Sequence, residues 1–118
     1  MLLTRTQRTL MCANGRANAR ARDEDGAVAD LKPVAKLFCP WGGGTWLLSE
    51  IDPEDADLAF GLCDPGFGFP ELGFVRLSEL EALRGPGGLR IERDRWFRPT
   101  RTLAAYADAA RAAGRIDA

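Results

Sequence analysis

The pattern of apolar and polar positions is sharpest between Thr45 and Leu83, where apolar runs are separated by turn residues. Val34–Phe38 and Thr45–Ile51 read as two strands of a hairpin across the Trp41–Gly44 turn. Asp52–Asp55 is a turn, since Pro sets φ and Asp side chains bond the local backbone. Leu58–Cys63 is the third strand. Leu58, Phe60 and Leu62 share one face, and Ala59, Gly61 and Cys63 the other, where small residues predict close packing. The segment Asp64–Pro70 is a turn and Leu72–Leu77 a fourth strand. Ser78 and Glu81 match a capping box, so a short helix starts there and ends near Arg84–Gly85. Leu89–Glu92 is a candidate short edge strand.

The two ends are helical. Thr4 and Gln7 form another capping box, and Asn14–Gly15 is a stop signal, which predicts a first helix over 4–13 with Leu3, Leu10 and Met11 on its apolar side. From Arg16 to Lys32 the residues turn small and charged, which predicts a loose connector around 16–32. The last helix runs over 102–113, anchored by Leu103 and Tyr106 and stopped by Gly114. Together these elements predict a single α+β domain over 1–118. Its core is a mostly antiparallel, four-stranded meander sheet packed with N-terminal, middle and C-terminal helices.

Composition narrows the function classes. The 118 residues are 46% hydrophobic, enough for a packed core, with a net charge of -1. That balance provides no bulk attraction to nucleic acid or to an acidic membrane, so such binding needs a local patch. Three cysteines at wide spacing and no histidine leave no zinc motif, and Ser–His or Cys–His catalysis cannot occur. The first ten residues lack a signal-peptide pattern and no apolar run is long enough to span a membrane. The expectation is a cytoplasmic protein with reduced thiols, no cofactor and no membrane partner.

Charge is unevenly spread. From Leu37 to Val75 there are seven acidic residues and no Lys or Arg. Asp52, Glu54, Asp55 and Asp57 cluster in one turn. They suit a hard cation, an acidic docking face for another protein, or simply a solvated turn, although Pro53 and the spacing do not match a calcium-hand loop. A regular array of carboxylates can also occupy a basic DNA groove in place of phosphates. The opposite patch lies between Arg84 and Arg101, where six arginines surround Trp96 and Phe97. Arg90, Arg93, Arg95, Arg98 and Arg101 with Trp96 have the chemistry to meet phosphates and stack bases. The blander reading puts Trp96 and Phe97 in the core and pairs the arginines with Glu92 and Asp94.

Two glycine-rich turns remain. Neither matches a phosphate-binding loop. Trp41 leads one of them. Phe67 and Phe69 alternate with glycines in the other, and they either cover the core as a lid or stand exposed as anchors for a partner. Cys63 beside Asp64 has the surroundings of an inert thiol, because a neighbouring anion raises a thiol pKa.

The runs LLTRTQRTLMCANGRAN, PVAKLF, TWLLSEIDPEDADLAFGLCDPGFGFPELGFVRLSELEALRG and IERDRWFRPTRTLAAYADAARAAGRI resemble the bacterial DUF2958 family over nearly the whole chain. The resemblance implies a small cytosolic protein of a plasmid, phage or other mobile element. It implies no activity and no catalytic residues. The chain departs from the family pattern at Arg95–Trp96, where a His tends to stand before Phe97-Arg98-Pro99. The reading that follows is a non-enzymatic module that binds another protein, through Trp41, Asp52, Glu54, Asp55, Asp57, Phe67 and Phe69. The alternatives are nucleic-acid binding by the arginine segment and a metal-dependent hydrolase built on carboxylates.

Overall fold

The computed structural model describes residues 2–118. The chain forms helix α1 (Arg5–Asp23), strands β1 (Ala35–Phe38), β2 (Thr45–Asp52), β3 (Asp55–Asp64) and β4 (Glu71–Arg76), helix α2 (Leu77–Ala82), strand β5 (Glu92–Arg93) and helix α3 (Leu103–Ala113). The radius of gyration is 13.9 Å, close to the roughly 13–14 Å of a compact domain this size.

The fold class is α+β, and the meander from β1 to β4 has the expected order. The sheet has five strands rather than four, in the order β4-β3-β2-β1-β5, all antiparallel. The added strand pairs Arg93 with Leu37 and Glu92 with Phe38. It is two residues long and overlaps the candidate edge strand Leu89–Glu92 at Glu92.

The period of two divides the sheet into two covered faces. One carries Ala35, Leu37, Trp46, Leu48, Ile51 and Ala59 against Leu2, Leu3, Met11, Leu77 and Leu80. This face is covered by α1 and α2. The other carries Leu47 and Leu62 beneath Leu103, Tyr106, Ala107 and Ala110 of α3. Fully burying a leucine contributes about 2 kcal/mol, so the two clusters are the main stabilising layers.

α1 runs ten residues past the expected stop at Ala13, and residues 16–23 are helix rather than loose connector. Its buried stripe is Met11, Gly15 and Asn18, at helical spacing, while Leu10 is exposed. Gly15 is therefore no helix stop. A Cβ there would sit 1.8 Å from the Ile51 carbonyl oxygen, so only glycine lets α1 lie this close to β2. Asn14 and Asn18 complete the seam. The Asn14 side-chain amide donates to the Ser49 carbonyl at 2.9 Å, and that of Asn18 to the Glu50 carboxylate at 3.3 Å.

The chain after α1 then crosses to the other face. The Leu31 carbonyl accepts the Leu103 N–H and the Asp30 carboxylate accepts the Ala104 N–H, so the crossing is tied to the first turn of α3. α3 begins at Thr102, whose hydroxyl accepts the Ala105 N–H, and ends at Gly114 in the left-handed region. At α2 the expected capping box does not form. Ser78 lies inside the helix, and the Asp57 carboxylate of β3 accepts from both its N–H and its hydroxyl.

Candidate functional site

β4 is the outer strand of the sheet and, among the described residues, pairs with β3 alone, so one edge of its backbone is left open. Unpaired edges are ready templates for another strand. β4 has no helix over its α3-side face either. α3 packs against β3, which leaves Leu72 and Phe74 of β4 exposed, Phe74 at 57%. Phe74 is nonetheless fixed in place. It pairs in register with Phe60, and the two rings meet edge to face at 5.1 Å between centroids. Phe60 in turn packs against the α3 cluster.

The turn before β4 adds two more aromatic rings. Phe67 and Phe69 are 77% and 76% exposed, so they are not a lid over the core. The turn that presents them is well built. The buried Asp64 carboxylate accepts the N–H groups of Gly66 and Phe67, at 2.9 and 3.0 Å. Gly66 has φ 114°, a conformation that disfavours any side chain. It also lies against Gly44, so the two glycine-rich turns abut.

Phe67, Phe69, Leu72 and Phe74 line one groove of about 510 Å³, together with Cys63, Pro65, Glu71 and Gly73. Among the described residues the Glu71 carboxylate has no hydrogen-bond or ion-pair partner, and it also borders a smaller groove with Arg111. Cys63 borders the groove from β3, but its side chain packs into the α1-side cluster, and burial pushes its thiol pKa up to about 11.

The other expected contacts fall elsewhere. Trp41 is half-buried in the α1-side cluster, with its ring flat against Gly85, where a Cβ would come within 2.3 Å. It holds structure and does not join the phenylalanines. The four carboxylates of the Asp52–Asp57 turn do not form an open array. Asp52 accepts the Glu54 N–H at 2.8 Å, and Glu54 itself projects to solvent. Arg76 reaches Asp55 at 2.9 Å and Asp57 at 3.8 Å. The Arg76 hydrogen bond holds the Asp55 carboxyl below its ordinary range, and the bond from the Ser78 hydroxyl does the same for Asp57. Asp64 lies at the far end of β3, about 30 Å away along the strand. Asp55 and Asp57 thus converge on Arg76 and Ser78 rather than on an open cleft, and Asp64 is far from both. No group of three or more His, Cys, Asp or Glu is arranged to hold a metal among the described residues.

The arginine segment surrounds β5. Trp96 is 85% exposed, contrary to a core role, whereas Phe97 packs partly into the α3 cluster. Arg90, Arg95, Arg98 and Arg101 are exposed, and Arg101 lies over the Tyr106 ring at 5.8 Å. Arg93 is half-buried and donates to the Leu2 carbonyl at 2.8 Å, which ties β5 to the chain start. Asp94 is engaged by Lys36 at 3.6 Å and accepts the Trp96 N–H, so it does not neutralise the arginines.

Sequence reasoning missed Leu72 and Phe74 as surface residues. Their alternation is that of a strand buried on one face, and only the meander order, which makes β4 an edge, could have pointed to their exposure. Among the described residues no helix is long and apolar enough to cross a membrane.

Residues 2–117 match the family described as "Protein of unknown function (DUF2958)". The chain belongs to that family. No curated protein and no solved structure matches it.

Proposed function

We propose that this DUF2958 chain is a binding module that docks an extended segment of another protein along the β4 edge. The observation that carries the reading is the groove of Phe67, Phe69, Leu72 and Phe74 beside an unpaired strand. Strand addition would supply main-chain hydrogen bonds, and the aromatic rings would set register and specificity. The free Glu71 carboxylate favours a partner segment that carries a Lys or Arg among apolar residues. The setting implied by the family resemblance, a plasmid, phage or other mobile element, is part of this proposal. An acidic surface that mimics DNA is not, because Asp55 and Asp57 are committed to Arg76 and Ser78.

The test is site-specific photocrosslinking in the native host, with the crosslinking residue at position 69 or, as a control, at exposed Leu10 on α1. A discrete protein adduct from position 69 alone is expected, and Phe67→Ala should weaken it roughly tenfold. In the recovered complex, β4 amides should exchange more slowly than in the free protein. Adducts from both positions, from neither, or without protection of β4 would overturn the reading.

A further inference from the structure

The residues around β5 make a second surface, independent of the β4 edge. Three grooves meet there, of about 490, 350 and 180 Å³, and all three share Arg93 and Arg95. Trp96 borders one and Arg98 another. The largest groove is also lined by Thr4 and Gln7, the first turn of the 19-residue α1. That helix has no acidic residue in its first turn, so the positive end of its dipole adds to the arginines. With Asp94 held by Lys36, Glu92 is the one other acidic side chain among the groove linings beside the exposed Arg95 and Arg98.

Trp96 is 85% exposed, so most of its indole is open to a ligand. An indole beside a cationic groove is complementary to one kind of ligand, an anionic chain that carries flat rings. We propose that the β5 surface binds single-stranded nucleic acid, with a base stacked on Trp96 and phosphates met by Arg95 and Arg98. A peptide would account for the indole but not for the exposed Arg95 and Arg98 beside it. A duplex would account for the arginines but offers no free base face.

The test is fluorescence anisotropy with labelled DNA and RNA strands of about 12 nucleotides, a duplex, and an abasic sugar–phosphate strand of the same length. Single strands with bases should bind more tightly than both controls, and affinity should fall steeply with salt. Trp96→Ala should weaken the base-bearing strand roughly tenfold and leave the abasic strand unchanged. Arg95→Glu with Arg98→Glu should abolish binding of both. DNA or RNA preference identifies the source and supports the proposal either way. Phe67→Ala with Phe69→Ala should change nothing, which separates this surface from the β4 edge. A thermal melt of each variant reports its fold, and Trp96 is too exposed for its loss to unfold the chain. No binding at low salt would overturn the proposal. So would equal effects of Trp96→Ala on base-bearing and abasic strands, or equal affinity for single strands and duplex, because each describes a general polyanion patch.

Discussion

Asp57 of β3 caps α2 from across the fold. Its carboxylate accepts the Ser78 N–H at 2.8 Å and the Ser78 hydroxyl at 2.6 Å, and these bonds hold its pKa below the ordinary value of 3.8. A carboxyl depressed in the folded state adds stability above its unfolded pKa, and that contribution is lost as pH falls through the folded value. Asp57→Asn should therefore lower the urea midpoint at neutral pH. The gap to wild type should close as pH falls from about 3.8 through the lower folded pKa, where the wild-type carboxyl becomes neutral as well. Urea titrations from neutral to acid pH provide the check, and a gap that stays constant would show that the charge does not matter.

Gly15 lets α1 touch the β2 backbone, with no room for a methyl group against Ile51. Gly15→Ala raises helix propensity by about 1 kcal/mol, so an isolated helix would gain. In the folded chain the methyl group has to displace α1, and overpacking of this kind costs about 1–3 kcal/mol. The steric term should win, with net destabilisation of up to about 2 kcal/mol in equilibrium unfolding. A stabilised variant would mean that α1 sits farther from the sheet.

The meander was legible because β-sheet faces follow a period of two and the turns are built from Pro, Gly and Asp. Capping at Thr4 and Gly114 was legible for the same local reason. α1 was not. Its contact stripe is Met11, Gly15 and Asn18, with no leucine, and an Asn–Gly pair normally ends a helix. Its length comes from Ala and Arg, good helix formers whose abundance, as small and charged residues, read as a loose connector. At α2 the Ser78 signal had the right position and the wrong partner, since a carboxylate distant in sequence had taken the capping role. The exposure of Phe67, Phe69, Phe74 and Trp96 depends on where α3 ends up, and no local pattern encodes that.

Asp64 is buried and satisfies two backbone N–H groups that would otherwise have no acceptor in the turn. Asp64→Ala should cost about 1–3 kcal/mol. Asp64→Asn retains a side-chain oxygen and should cost less. The alanine variant should also release Phe67 and weaken any β4-edge ligand, while Trp96 fluorescence stays unchanged. Denaturant titration ranks the two variants, and equal stabilities would argue that solvent replaces the carboxylate freely.

Cys63 borders the β4-edge groove with its side chain packed in the α1-side cluster, and burial raises its thiol from 9.0 to about 11. Two units less acidity leaves about 100-fold less thiolate at neutral pH, and thiolate is the reactive form. Alkylation of Cys63 in the native chain should run roughly 100-fold slower than in the urea-unfolded chain. Peptide mapping by mass spectrometry resolves it from Cys12 and Cys39. Equal rates would place the thiol in open solvent. A ligand in the groove should slow labelling further.

Asn18 joins three parts of the chain. It sits in α1, donates to the buried Glu50 carboxylate of β2, and accepts the Ala29 N–H of the crossing segment at 3.1 Å. Were residues 16–23 a loose connector, its replacement would be silent. Asn18→Leu, similar in volume, removes both bonds and leaves a buried carboxylate without this donor. Loss of a partner to a buried charged group costs about 2–3 kcal/mol, more than the added apolar surface returns. Two readouts should move together: the denaturation midpoint falls, and the Ala29 amide exchanges faster because its acceptor is gone. A fall in stability with Ala29 exchange unchanged would locate the effect at Glu50 alone. Wild-type values for both would mean that the seam between α1 and β2 depends on Met11 and Gly15 without polar help.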